Sequence, residues 1–245
     1  MRLRAMKVAV LSDIHANIDA LDAVLAEVRA EGIERLILLG DYVGYYFEPR
    51  AVIEALSAFD CVGIQGNHDR MALAARDDPS ARDAYRGQYG SAIDAALDQL
   101  GQAEWDWLAA HPVSRDITLG EYRIHLAHGA TFDPDAYIYP DAPTARFDRL
   151  THGVDADAIW LGHTHYPFMR VGAGGPAILN PGSVGQPRDI GGLASWAIFH
   201  AETGATAFRR TEFQVHGLLA ECRRRDPGLK ALSNPLTRKR MGLQA

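Results

Sequence analysis

Five times along the chain an apolar run leads directly into side chains that hold metal ions. VAVLSDIH delivers Asp13 and His15, and LILLGD delivers Asp41. VGIQGNHD delivers Asn67, His68 and Asp69, IHLAHG delivers His128, and AIWLGHTH delivers His163 and His165. The donors are oxygen and imidazole with no thiolate, which favours Mn, Fe, Zn, Co or Mg over soft-metal chemistry. Asp13, His15, Asp41, Asn67, His128, His163 and His165 are seven candidate ligands. That is too many for one tetrahedral site and suits two divalent ions sharing a bridge, an arrangement about 3.5–4 Å across that serves phosphate displacement. Taken singly the motifs are weaker. Asp-x-His also occurs as a capping Asp near a satisfied His, Gly-Asp is a common turn, and His-x-His alone is open between the two readings. Gly-Asn-His-Asp is more specific, and the ordered set of all five carries the metal reading.

These residues need elements to bring them together. Met6–Leu11, Leu36–Leu39 and Cys61–Ile64 read as short buried strands. Between them Asn17 caps a helix with Leu21, Val24, Leu25 and Val28 on its inner face, and Gly32 ends it. Pro49 opens a second helix with Val52, Ile53 and Leu56 facing inward. Strand alternating with helix predicts an α/β fold, with sites in the crevice beyond the carboxyl ends of the strands. Asp13/His15 and His163/His165 are two apart just past a strand, so each pair can point to one side. Gly40, Gly66, Gly129 and Gly162 flank the ligands where tight turns are needed. Residues from about 70 to 110 read as a helical excursion able to overhang the site. Arg123–Leu126, Ala158–Leu161, Phe168–Val171, Ala177–Leu179, Trp196–Phe199 and Thr206–Thr211 read as the strands of a second sheet. From Arg223 onward the chain is basic and reads as a solvated, partly disordered end, with a docking tail for an acidic partner as the sharper alternative. The whole chain, 1–245, is read as one domain with its core at about 6–213.

The 245 residues are 47% hydrophobic with a net charge of -6. That length suffices for a substantial core, and the acidic balance gives no general attraction to nucleic acid or anionic membranes. No segment approaches a membrane span, and Met1–Val10 lacks the pattern of a signal peptide. Cys61 and Cys222 make no disulfide framework, so a reducing compartment, the cytoplasm, is expected. A homo-oligomer is compatible with the sequence.

The ordered set D-x-H, GD, GNHD, H-G and GHTH, spanning Met6 to about Phe213, resembles the calcineurin-like metallophosphoesterase superfamily. NPGSVGQPRD, Asn180 to Asp189, further resembles its small bacterial branch, the YfcE-like phosphodiesterases; where that branch continues with a polar turn, this chain has Ile190-Gly191-Gly192. The resemblance implies a four-layer α/β/β/α sandwich of two mixed sheets flanked by helices. It implies a first metal at Asp13, His15 and His165, a second at Asn67, His128 and His163, and Asp41 as the bridge. His68 would lie near the leaving-group oxygen, and Asp69 would orient a neighbour. The chain departs from the protein Ser/Thr phosphatases of the superfamily. Those carry GDxxDRG and GNHE where this chain has GDYVGYY and GNHD, and an aromatic, Tyr46, replaces their phosphate-gripping Arg, which disfavours a phosphoprotein substrate.

The expected reaction is metal-dependent hydrolysis of a small phosphorylated substrate, first among them a nucleotide diester. A metal-bridging hydroxide would attack while His68 assists the leaving oxygen. The alternatives are a phosphomonoesterase or dinucleoside polyphosphate hydrolase at the same site, or a non-catalytic metal-binding scaffold; a scaffold typically loses ligands, and here every one is present. For substrate contacts, Tyr42, Tyr45, Tyr46, Phe47, Tyr137 and Tyr139 offer rings that could stack on a base or pack the rim. Arg188 offers a guanidinium for a phosphate oxygen, and Arg70 is expected to pair with a carboxylate of the excursion. His111, His125, His152, His200 and His216 lie outside the motifs and read as structural.

Overall fold

The computed structural model describes residues 6–172 and 175–239. The first half alternates as expected: β1 (Lys7–Leu11), α1 (Ile18–Ala30), β2 (Arg35–Leu38), α2 (Pro49–Ser57) and β3 (Asp60–Gly63). Asn17 caps α1 by accepting from the Ala20 amide, and Pro49 opens α2. The excursion is four helices, α3 (Asn67–Asp77), α4 (Pro79–Tyr89), α5 (Ala92–Gln99) and α6 (Gln102–Ala109). Then come β4 (Ser114–Leu119), β5 (Tyr122–Ala127), α7 (Thr144–Thr151), β6 (Ala158–Trp160), β7 (Phe168–Arg170), β8 (Ala177–Asn180), β9 (Leu193–His200) and β10 (Thr206–Glu212). Helices α8 (His216–Arg225) and α9 (Lys230–Thr237) close the described chain.

The strands form two mixed five-stranded sheets, ordered β10-β9-β1-β2-β3 and β4-β5-β6-β8-β7. In the first, β1, β2 and β3 run parallel, so their carboxyl ends share one edge. In the second, β5, β6 and β8 do the same. Period-2 alternation decides which side chains go where. Val8 and Val10 of β1 meet Ile124, Leu126 and Trp160 in a core between the sheets, whereas Ala9 and Leu11 face a second core under the helices. Ile159 and Ile178 face a third core beneath α7. Three cores separate four layers, the expected α/β/β/α sandwich.

Three expectations change. The strands at Trp196–Phe199 and Thr206–Thr211 do not join the second sheet: β9 pairs antiparallel with β1 and β10 with β9, so both extend the first. β4 was not anticipated: only Leu119 on it is fully buried, so it lacks an apolar run. The basic stretch from Arg223 is not loose as far as Lys239. Leu232 and Leu236 of α9 are buried in the helix-side core, and the Arg225 guanidinium lies 4.9 Å above the Phe47 ring. Its charges sit on the outer face, where Arg224 and Arg225 pair with Glu221. Arg240 and the five residues after it lie outside the described residues.

Candidate metal centre

The strand ends meet at the junction of the two sheets. Among the described residues, seven non-glycine residues have positive φ: Asp13, His15, Ala16, Asp41, Tyr45, His163 and His165. Five of these are candidate ligands. Left-handed backbone at a side-chain-bearing residue costs roughly 1 kcal/mol or more each, and persists where surroundings over-determine it. Here they do. The amides of Ile14 and His15 both donate to the Asp41 carbonyl at 2.9 Å, and Ala16 N donates to Tyr42 O at 2.8 Å. Val184 N and Gly185 N donate to the carbonyls of Ser12 and Asp13 at 3.0 Å. Gly66 must be glycine because a Cβ there would strike the Asp41 carboxylate.

Asp69 lies beneath this backbone. Its carboxylate accepts from the amides of Asp41 (2.7 Å), Gly66 (2.9 Å), Tyr42 (2.9 Å) and Val43 (3.3 Å). It is fully buried, and these four amides occupy both carboxylate oxygens, so it braces the Asp41 loop. Burial pushes its carboxyl up to about 7, with the Asp41 charge adding to the rise.

All seven candidate ligands converge. Three groups of ligand atoms lie within 4.8 Å of one another: Asp13/His15/His165, Asp41/His128/His163 and His15/Asp41/His68. Asn67 Oδ1 is 3.1 Å from His128 Nε2. The rings are oriented by what stands behind them. His15 Nδ1 faces Val43 O at 3.2 Å, His128 Nδ1 faces Leu39 O at 2.6 Å, and His165 Nδ1 faces Gln186 O at 2.7 Å. A carbonyl can only accept, so Nδ1 carries a proton in each, and in the neutral rings of His15 and His165 the Nε2 lone pair points into the crevice. There His15 Nε2 and His165 Nε2 are 3.1 Å apart, with Asp13 Oδ1 3.3 Å from the latter and Asp41 Oδ2 3.7 Å from the former. Bare nitrogen lone pairs and carboxylate oxygens aimed at one another in a dry site repel unless cations lie between them. The donor set therefore fits divalent metal ions, and Asp41 belongs to two of the three groups.

The titration shifts follow from the same crowding. Burial raises Asp13 to about 7, although His128 pulls the other way. Burial opposes ionisation of Asp41 too, but the surrounding imidazoles outweigh it and hold the carboxyl well below its usual range. Burial pushes His128 down, but the Asp41 charge and hydrogen bond and the Asp13 charge outweigh it and lift the ring to about 9. Burial drives His15 and His165 well down and His163 down to about 3. Positive charge is called for where the two carboxylates face His128.

Residues 6–204 match the calcineurin-like phosphoesterase superfamily domain. The chain belongs to that superfamily. A protein of Methanocaldococcus jannaschii is 30% identical over 225 residues, covering 85% of this chain and 88% of its own. Among solved structures, a hypothetical protein from Pyrococcus horikoshii superposes with a TM-score of 0.83 at 25% identity, covering 94% of this chain and 97% of the other. A metallophosphoesterase from Sphaerobacter thermophilus superposes with a TM-score of 0.75 at 27% identity, covering 95% and 98%. Divalent-metal hydrolysis of phosphoesters is the chemistry of this superfamily, and the His/Asp clusters could hold such metals.

Around the ligands several expectations are refined. Tyr45 borders the site: its ring lies 4.7 Å from His15 and 4.5 Å from His68, and its hydroxyl accepts from Arg188 Nη2 at 3.3 Å. Tyr46 does not contact a substrate. It is fully buried, with its hydroxyl donating to Leu232 O at 3.1 Å, and counting GDYVGYY against GDxxDRG sets Tyr45, not Tyr46, opposite the phosphatase Arg. Tyr42 and Phe47 are buried likewise. Tyr137 stacks on His163 at 3.9 Å and on Tyr139 at 5.7 Å, and these two rings are 43% and 39% exposed. Arg70 pairs with Asp135, in the loop after His128, not with a carboxylate of the excursion. His111 Nδ1 meets Trp107 O and His125 meets Asp116, both away from the ligands.

Sequence reasoning missed Tyr85 and Tyr89 of α4. Tyr85 OH lies 2.8 Å from His68 Nδ1, and the Tyr89 ring is 4.5 Å from the His68 ring. The signal was their i,i+4 spacing, which sets both on one helix face.

Proposed function

We propose that the chain is a phosphodiesterase acting through two divalent cations held by Asp13, His15 and His165 on one side and Asn67, His128 and His163 on the other, with Asp41 shared. The observation that carries this is the orientation of His15, His128 and His165: each ring is held by a carbonyl behind it, and each Nε2 faces a carboxylate. Bound there, such a cation pair supplies Lewis acidity and lowers the pKa of water so that a nucleophile is available near neutrality.

The chain's own residues then select and orient the substrate. His68, which burial brings down to about 4, is neutral at pH 7 and stands beside the ligands, where it can donate a hydrogen bond to the leaving oxygen. A diester carries one negative charge and two organic groups. The rim matches that description: Arg188 faces Tyr45, while Tyr89 and Tyr137 wall a cavity of about 400 Å³ lined also by Asn67, His163 and Arg70, whose charge Asp135 offsets. A phosphomonoester, with nearly two charges and one organic group, would gain less from these rings. The Tyr137–Tyr139 stack suits a nucleobase, so a nucleotide diester is the proposed substrate class. Both cysteines are free, which agrees with the cytoplasm as its compartment.

The test is turnover of bis-p-nitrophenyl phosphate against p-nitrophenyl phosphate by protein stripped with chelator and reloaded with Mn²⁺. Metal-dependent cleavage dominated by the diester is expected. Preference for the monoester would move the assignment to a phosphatase. No cleavage of either by protein carrying two metals would defeat the phosphodiesterase reading.

A further inference from the structure

His68 differs from the other imidazoles of the cluster in what stands behind it. His15, His128 and His165 each turn Nδ1 to a carbonyl, whereas His68 turns Nδ1 to the Tyr85 hydroxyl at 2.8 Å. Tyr85 and His68 are 4% and 3% exposed, so water does not compete for this contact. A hydroxyl can donate as well as accept. Among the described residues, no other hydrogen-bond partner of the Tyr85 hydroxyl is found, so no other acceptor competes with His68 Nδ1 for its single proton. An imidazole whose Nδ1 lone pair is so occupied carries its own proton on Nε2.

The fold makes room for this pair. Gly44, at φ +90°, comes so close that a Cβ there would lie 2.5 Å from His68 Nδ1 and 2.6 Å from Tyr85 OH. The rings of Tyr45 and Tyr89, each 4.5 Å from the His68 ring, hold the imidazole from two sides. One ring nitrogen of His68 lies within 4.8 Å of ligand atoms of His15 and Asp41, so distance alone does not keep it out of the ligand set.

We propose that Tyr85 is a positioning residue that fixes His68 as its Nε2–H tautomer, making it a hydrogen-bond donor to the substrate and denying the metals another nitrogen ligand. The partner behind each ring thus sorts four histidines into two jobs. A carbonyl yields a ligand, and a hydroxyl yields a donor. The helical excursion, which supplies no candidate ligand beyond Asn67 at its first residue, reaches His68 from α4 through this hydrogen bond and the Tyr89 ring. The donor role toward a leaving oxygen rests on the phosphodiesterase reading, but the tautomer does not.

The experiment is ¹⁵N NMR of the histidine rings in zinc-loaded protein, with His68 assigned by comparison with His68→Gln. The expected result is a protonated Nε2 and an unprotonated, hydrogen-bonded Nδ1. Tyr85→Phe should lose that signature and lower diester kcat roughly 10- to 100-fold with metal content retained. In the Co²⁺-substituted form its visible absorption should shift as His68 turns toward the metals. A protonated Nδ1 in the unaltered protein would overturn the proposal even if the variant fails to fold. An unchanged tautomer and unchanged kcat in a folded Tyr85→Phe would overturn it as well. If the unaltered protein cleaves no diester, the functional reading fails while the NMR result still decides the tautomer.

Discussion

The cradle at the strand ends and the helical cover over it are built on different principles. In the cradle, five candidate ligands sit in left-handed backbone, nearly every polar group is buried, and loops from both sheets hold one another by main-chain hydrogen bonds. In the cover, residues 67–109, no non-glycine residue has positive φ, and its ion pairs, such as Arg86–Asp94, lie near the surface. Strain is kept where several strands over-determine the geometry, and the cover is relaxed helix that touches the site through a few side chains. A substitution in the cradle should therefore act on metal binding itself. One in the cover should act on stability or on how the reaction is tuned.

The most severe test is Asp41→Ala. Asp41 Oδ1 accepts from the His68 amide at 2.8 Å, and Oδ2 lies 3.2 Å from His128 Nε2 and 3.7 Å from His15 Nε2. Its loss should remove bound metal, measured by elemental analysis, and lower diester turnover on the order of 10³-fold or more. Full metal occupancy in the variant would show that the cradle does not depend on a shared carboxylate.

His68→Asn lies on the boundary of the two regions, at the start of α3. It should keep both metals and lower kcat about 10²- to 10³-fold, since a donor to the leaving oxygen is lost while every ligand remains. A metal-replete variant with unchanged turnover would remove His68 from the reaction and leave the cradle alone responsible for it.

The same contrast explains what could be read from the chain. The cradle was legible because its signals are local. Buried runs such as Val8–Leu11 lead into Asp, His and Asn residues whose ordered set points to metal binding, and short spacings fix which of them share a side. The cover and tail were illegible where their placement depends on distant partners. Tyr46 is buried because its hydroxyl meets Leu232, 186 residues away. Tyr85 meets His68 only because α4 folds back over α3. The basic composition after Arg223 concealed two leucines, and β4 pairs with β5 along a polar edge that no apolar alternation announces.

Leu232→Ala tests whether the tail belongs to the folded cover. Leu232 is fully buried among residues of the helix-side core, and its carbonyl accepts from Tyr46. Truncation should cost about 2–3 kcal/mol of stability, read as a lower Tm, with turnover per folded, metal-loaded molecule nearly unchanged. No loss of stability would return the tail to the loose end its composition suggests. A loss of turnover at full metal loading would mean that the cover bears on the reaction through more than Tyr85 and His68.

Arg188→Ala should have the smallest effect and separates binding from chemistry. Arg188 is half-buried on the loop after β8 and its guanidinium reaches Tyr45 OH, beside the candidate ligands, where its charge is felt by His165 and Asp13 although it supplies no ligand atom. A cation there attracts a phosphodiester equally before and during reaction, because the diester's charge is present throughout. Removing it should raise KM about 10-fold and leave kcat in place, the signature of uniform binding. If kcat falls as far as kcat/KM, the guanidinium instead meets charge that develops only in the transition state. The rim would then have to be counted with the cradle, and the division drawn between the two regions would shift outward by one loop.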